Sequence, residues 1–237
     1  MKKVTLIFLC LCLFASLTAC STQGTQPTAS PSASPAGAPA DMPETDNPEA
    51  NTGEKSLVVY FSMPETNQPD NMSQEEANST VVIDGEVLGN TQYVAYVIQE
   101  NTGADIFRIE PEVPYPTDHD TLVDLAKEEQ NEDARPAIKD QIENFQQYDT
   151  IYVGYPNWWG DMPMILYSFF DQYDFSDKTI IPFNTHGGSR FSNTIDTIKQ
   201  LEPAANVITD GLSISRNVVQ DAEAEIKEWL DQLKDTE

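Results

Sequence analysis

Positive charge is scarce in this sequence. Thirteen lysines and arginines stand against 39 aspartates and glutamates in 237 residues, a formal net charge of −26. A surface this negative repels phosphate backbones and anionic headgroups, which excludes a nucleic-acid binder and a basic peripheral membrane protein. Cysteine is rarer still, and its three copies cannot form a disulfide framework without one left over. The apolar run from Val4 to Ala15 has 12 residues, too few to span a bilayer as a stable helix. What is present is the material of a core. Hydrophobic residues make up 39% and aromatic residues 9%, so wholesale disorder is excluded, and the length allows one large domain or two small ones.

Met1-Lys2-Lys3 followed by that apolar run has the build of a secretory signal. Leu17-Thr18-Ala19-Cys20 then resembles the bacterial lipobox, in which the cysteine is lipidated and heads the mature chain. The resemblance implies a signal peptide over residues 1–19 and lipidation of Cys20. It also implies export, with the domain on the extracytoplasmic side of a bacterial membrane. An ordinary cleaved signal with a coincidental cysteine is the alternative. Cys10 and Cys12 leave with the signal and no cysteine follows Cys20, so the folded part holds no disulfide, thiolate metal site or cysteine nucleophile. Residues 21–54 contain six prolines, six alanines, five threonines and four serines, with Met42 as the one large apolar side chain. Such a segment buries too little surface to offset its ordering entropy, so residues 20–54 are expected to form a disordered tether.

Residues 55–237 read as one domain. Ser56 to Phe61 is a β-branched and aromatic run suited to a strand buried on both faces. A helix from about Thr91 to Asn101 is stopped by Gly103, and Asp105–Ile109 forms the next strand. Leu122, Leu125 and Ala126 share one face of a helix over Thr121–Gln130. Thr150–Tyr155 is a third strand, Pro163 opens a helix carrying Leu166, Phe169 and Phe170, and Lys178–Asn184 is a fourth. Phe191, Ile195 and Ile198 mark another helix, Asn206–Thr209 a weak fifth strand, and Ala222 to Leu233 a closing amphipathic helix. Five strands alternating with helices predict an α/β fold: a doubly wound, five-stranded parallel sheet with helices on both faces. Ligands of such sheets sit beyond the carboxyl ends of the strands, which directs attention to the loops after Phe61, Tyr155 and Asn184.

The first of these loops is long. Thr80 to Leu88 has the pattern of a small β-hairpin, turning at Asp84-Gly85, inserted after the first strand. It returns through Gly89-Asn90-Thr91 at a helix start, where a phosphate cradle and a plain turn with an N-cap are both compatible with the residues. The second loop, Pro156-Asn157-Trp158-Trp159-Gly160, places two adjacent tryptophans at a strand end. They read either as stacking surfaces for a flat ring, which needs a sharp backbone bend, or as one core and one exposed side chain. The third loop, Thr185-His186-Gly187-Gly188-Ser189, lets backbone approach a ligand closely. Its histidine and serine are a poor substitute for a hydrolase nucleophile elbow, and no Gly-x-Ser-x-Gly is present. Asp118-His119-Asp120 reads as a solvated helix cap rather than a metal site, and Tyr115 either roofs a ligand or stiffens its loop.

Taken together, Val58–Ser62, Gly89-Asn90-Thr91, Val153–Pro156 with Trp158-Trp159, and Thr185–Ser189 resemble the flavodoxin-like family, in its bacterial branch with a Trp-Trp loop. The resemblance implies bound FMN. Ser62, Gly89, Asn90 and Thr91 would form the phosphate loop; Pro156, Asn157, Trp158, Trp159 and Gly160 would line the isoalloxazine, and Thr185, His186, Gly187, Gly188 and Ser189 would meet its pyrimidine edge. The 26 residues between Ser62 and Gly89 depart from the compact loop of that family. The implied function is electron transfer or reduction of a small acceptor by a membrane-tethered FMN protein; the alternative is a flavodoxin-fold lipoprotein without FMN, serving as a binding module. Residues 55–237 retain 34 acidic against 11 basic residues, so a basic surface is expected on any protein partner. No cation lies in the phosphate or Trp-Trp loops, which suggests a flavin of lowered potential. The anchor is testable directly: Cys20→Ala is expected to move the protein from the membrane fraction to the soluble one and to abolish labelling by radioactive fatty acid.

Overall fold

The computed structural model describes residues 54–234, so the expectations for the signal segment, Cys20 and nearly all of the tether lie outside the described residues. The strands β1 (Ser56–Tyr60), β4 (Asp105–Arg108), β5 (Thr150–Pro156) and β6 (Thr179–His186) build one parallel sheet, flanked by a hairpin of β2 (Thr80–Ile83) and β3 (Glu86–Gly89). The sheet order is β4-β1-β5-β6-β7, where β7 is only Asn206–Val207. The expected fifth strand is thus cut short, and β8 (Leu212–Ser215), which the sequence reading lacks, takes the rest of that edge. Pro182 explains the cut. The carbonyl of Ile180 accepts from Ile208, so by alternation the Pro182 backbone also faces this edge, where it has no N–H to give.

The helices are α1 (Gln74–Ser79), α2 (Asn90–Thr102), α3 (His119–Glu132), α4 (Met164–Gln172), α5 (Thr194–Leu201) and α6 (Glu223–Lys234). Local chemistry sets their ends. The Gln92 side chain accepts the Gly89 N–H at the start of α2, and Gly103 closes that helix at φ +68. Asp118 caps α3 by accepting from Thr121 N–H at 3.0 Å. Ser73 and Glu76 form a capping box on α1, a one-and-a-half-turn helix absent from the sequence reading because no apolar period marks it. The α5 helix starts at Thr194, so Phe191 precedes it, and Pro163 lies one residue before α4.

Alternation along the central strands divides the core in two. Leu57, Val59, Phe61, Ile151, Val153 and Tyr155 face a cluster with Ile165, Phe169 and Phe175, while Val58, Tyr60, Tyr152, Ile181 and Phe183 face Val94, Ile98, Ile226 and Leu230. Burying each large side chain contributes roughly 1.5–3 kcal/mol. No helix among the described residues is long and apolar enough to cross a membrane.

Gly154, in the middle of β5, has its missing Cβ position filled by the Phe183 ring, whose Cζ would lie 2.1 Å away. Ring atoms held in a close-packed core cannot yield by that much. Gly154→Ala is therefore expected to destabilise the fold by about 1–3 kcal/mol in denaturant titration, the usual cost of overpacking.

Candidate functional site

The carboxyl ends of β1, β5 and β6, the start of α2 and the first turns of α3 enclose a cavity of about 290 Å³. It is closed at one end by an unexpected meeting. A Cβ on Gly89 would lie 2.1 Å from Ser62 Oγ, so the two ends of the long first loop press against each other and the hairpin is extruded between them. This places Ser62, Asn90 and Thr91, all buried, side by side despite their separation in sequence. Thr91 Oγ1 then hydrogen-bonds Thr185 Oγ1 at 2.8 Å, tying the start of α2 to the end of β6. Asn90 Nδ2 donates to the Asn78 carbonyl, while its Oδ1 is buried without a partner.

The tryptophan loop bends as sharply as two neighbouring rings on one cavity require. Trp158 and Asp161 exchange both backbone hydrogen bonds, at 2.9 and 3.0 Å, around Trp159 (φ +53) and Gly160 (φ +79). Two positive central φ values are those of a type I′ turn. Trp158 leans inward, edge-to-face with Phe61 at 5.5 Å and Tyr115 at 5.8 Å. Tyr115 is accordingly a packed support, its hydroxyl bonded to Glu129, and not a cavity wall. Trp159 remains 54% exposed at the mouth, with its Nε1 held by the Val123 carbonyl and Lys127 over its ring.

Ten of the fourteen sequence-derived residues line this cavity: Ser62, Asn90, Thr91, Pro156, Asn157, Trp158, Trp159, Thr185, His186 and Gly187. The other four are not on its wall. Gly89 backs Ser62, Gly160 completes the turn, Gly188 gives its N–H to His186 Nδ1, and Ser189 faces a separate shallow depression with Arg190. Asn157 fastens the second loop to the third through the Arg190 carbonyl and Ser192 Oγ.

Several wall residues escaped the sequence reading. Leu122, Val123 and Ala126 come from α3, Met63, Glu65, Asn78 and Ser79 from the first loop, and Arg216 from the end of β8. His119, read as part of a solvated cap, is also on the wall, with Nδ1 3.1 Å from Glu65. The phosphate and Trp-Trp loops hold no cation, but Arg216 brings one to the same wall; its guanidinium lies over Gly187, within 3.1–3.3 Å of where a Cβ would be. The shared face of Leu122, Leu125 and Ala126 was the available signal, and it read only as one face of a helix.

Comparison with known proteins agrees with this fold. The flavodoxin family pattern matches residues 80–233, well over half of the chain. The chain belongs to the flavodoxin family. Its solved neighbours include two candidate flavoproteins, from Bacteroides eggerthii (28% identity, 76% of this chain and 97% of that chain, TM-score 0.57) and Bacteroides uniformis (26%, 76% and 99%, TM-score 0.58). A flavoprotein of Lactobacillus acidophilus in complex with FMN shares the fold at 19% identity over 75% of this flavodoxin-like chain and 99% of that chain, TM-score 0.51. No curated protein matches the sequence.

Burial, and then the Arg190 guanidinium, hold the His186 imidazole below the ordinary histidine range. The neutral ring is the form whose Nδ1 accepts the Gly188 N–H at 2.8 Å. As pH falls through about 6.5 the unfolded chain takes up a proton here before the folded domain does. Stability is therefore lost with falling pH in that window and unaffected by this residue above it. His186→Gln is expected to show a shallower loss of unfolding free energy between about pH 7 and 5.5 than the parent flavodoxin domain. Equal slopes in denaturant titrations would refute the assignment.

Proposed function

We propose that this chain is a membrane-tethered FMN protein that transfers electrons or reduces a small acceptor. The observation that carries the reading is the convergence of Ser62, Asn90 and Thr91 with the two tryptophans and Thr185–Gly187 on one cavity at the strand ends. That is the position at which doubly wound sheets take their ligands.

The donor set suits the group. The start of α2 offers first-turn backbone N–H groups, and Ser62 and Thr91 offer hydroxyls, a combination that receives phosphate, while Arg216 places a positive charge on the same cavity wall over Gly187. The unpartnered Asn90 Oδ1 is an acceptor for a ribityl-type hydroxyl. Trp158 and Trp159 provide flat apolar surface already fixed in place by Phe61, Tyr115 and Val123, so little side-chain entropy is lost when a ring stacks there. FMN held there would supply reversible one- and two-electron chemistry, and the protein would contribute orientation, exclusion of water and charge. Cys20 would hold the domain at the membrane through its lipid, on the extracytoplasmic side. The acid excess of residues 55–237 would keep it off anionic headgroups and favour a basic protein partner, with rates that fall as salt rises.

The reading is tested by adding FMN to purified protein and following flavin absorbance and fluorescence. A stoichiometric complex is expected. Trp159→Ala should weaken it by roughly 2- to 12-fold, the equivalent of a stacking contribution of about 0.5–1.5 kcal/mol. A colourless protein that refuses FMN would leave the alternative, a flavodoxin-fold binding module without flavin.

A further inference from the structure

The cavity wall carries a pair that a simple electron carrier does not need. His119, the first residue of α3, has its Nδ1 3.1 Å from both Oε1 and Oε2 of Glu65, which lies in the first loop, 54 residues earlier. The Glu65 side chain is 8% exposed and that of His119 is 42% exposed, and both residues line the cavity. The Ser79 hydroxyl accepts the Glu65 N–H at 3.0 Å and so fixes the backbone that presents the carboxylate. A carboxylate buried this far is tolerated only when paired. The charged groups facing the imidazole are Glu65 from the first loop, Glu75 near α1's start and Asp118 beside it.

A carboxylate on Nδ1 selects the tautomer with the proton on that nitrogen and leaves Nε2 to exchange protons, the arrangement by which general acid–base histidines are oriented. Transfer of single electrons to a protein partner requires no proton at the acceptor. Reduction of a carbonyl compound by two electrons does. The same cavity wall also carries the apolar side chains of Met63, Leu122, Val123 and Ala126. Such a lining takes a flat ring and leaves a polar substituent to meet the histidine.

We propose that His119 donates a proton to a quinone-class acceptor reduced at this cavity, and that Glu65 is its positioning residue. The inference rests on the FMN reading above, with reduced FMN as the reductant. Two electrons and one proton would pass from anionic reduced FMN to the acceptor, and the second proton from Nε2 of the protonated His119 ring to its carbonyl oxygen, leaving the neutral Nδ1–H imidazole, which regains a proton from water. The products are the hydroquinone and oxidised flavin.

Two measurements test this. In the first, ¹⁵N NMR of the full chain without flavin should find neutral His119 as the Nδ1–H tautomer, and Glu65→Ala should lose that preference. An Nε2–H tautomer in the parent protein would overturn the proposal. In the second, FMN-loaded protein is reduced anaerobically and mixed with menadione or with ferricyanide, which accepts one electron and no proton. His119→Gln is expected to slow menadione reduction by at least about tenfold, a conservative figure for loss of a general acid, and to flatten its pH profile. Rates are compared at saturating FMN, because His119 lines the FMN cavity, and the menadione rate should fall by at least about tenfold relative to the ferricyanide rate. Equal effects on both acceptors, or none, would overturn the proton-donor role while leaving the cofactor reading intact. A chain that takes up no FMN overturns the cofactor reading and this inference together.

Discussion

The contact on which the site depends is the close approach of Ser62 to Gly89. With no Cβ in the way, the end of β1 and the beginning of α2 meet, and the 26 residues between them are pushed out as a short helix and a hairpin. Loop-closure entropy grows only logarithmically with length, so extending a loop of about six residues to 26 costs roughly 1 kcal/mol. That is small beside the apolar surface the hairpin buries through Val81 and its packing with the α2 and α6 layer. The insertion therefore leaves the strand-end geometry intact and adds wall to the cavity, including Glu65, Asn78 and Ser79.

Scarce cations are placed where they act on structure or on the site. Lys178 is buried, donating to the Tyr148 carbonyl at 2.6 Å and lying over the Phe145 ring, which anchors the start of β6. Arg135 joins Asp133 to Asp171 and covers Tyr167. Lys127 sits over Trp159, and Arg216 reaches the cavity. Exposed ion pairs such as Lys227 with Glu223 contribute little, so the fold is held mainly by its two apolar layers. The uncompensated negative charge is left to act outward, on whatever approaches the domain.

Most of the architecture was legible because the relevant signals are local. Buried parallel strands show continuous β-branched and aromatic runs, as at Val58–Phe61 and Ile151–Tyr155, and glycine marks a helix stop at Gly103. The Asp84-Gly85 turn was read correctly because two positive φ values demand such residues. The broken edge strand was not legible, since it follows from a missing N–H at Pro182 on a different strand. The six-residue α1 was missed because its polar sequence carries no period.

For the site, sequence alone determined the three loops and ten of the residues that meet at the cavity, since strand order in a doubly wound sheet brings those loop types to one end. Only the tertiary structure decided what faces them. Arg216 follows an edge strand that the sequence did not mark and His119 sits in a segment read as a helix cap, and both reach the cavity wall through packing between distant elements. Charge balance at a buried site is a property of space and not of sequence order. A chain with no cation in its phosphate or Trp-Trp loops therefore folds with Arg216 on the same cavity wall.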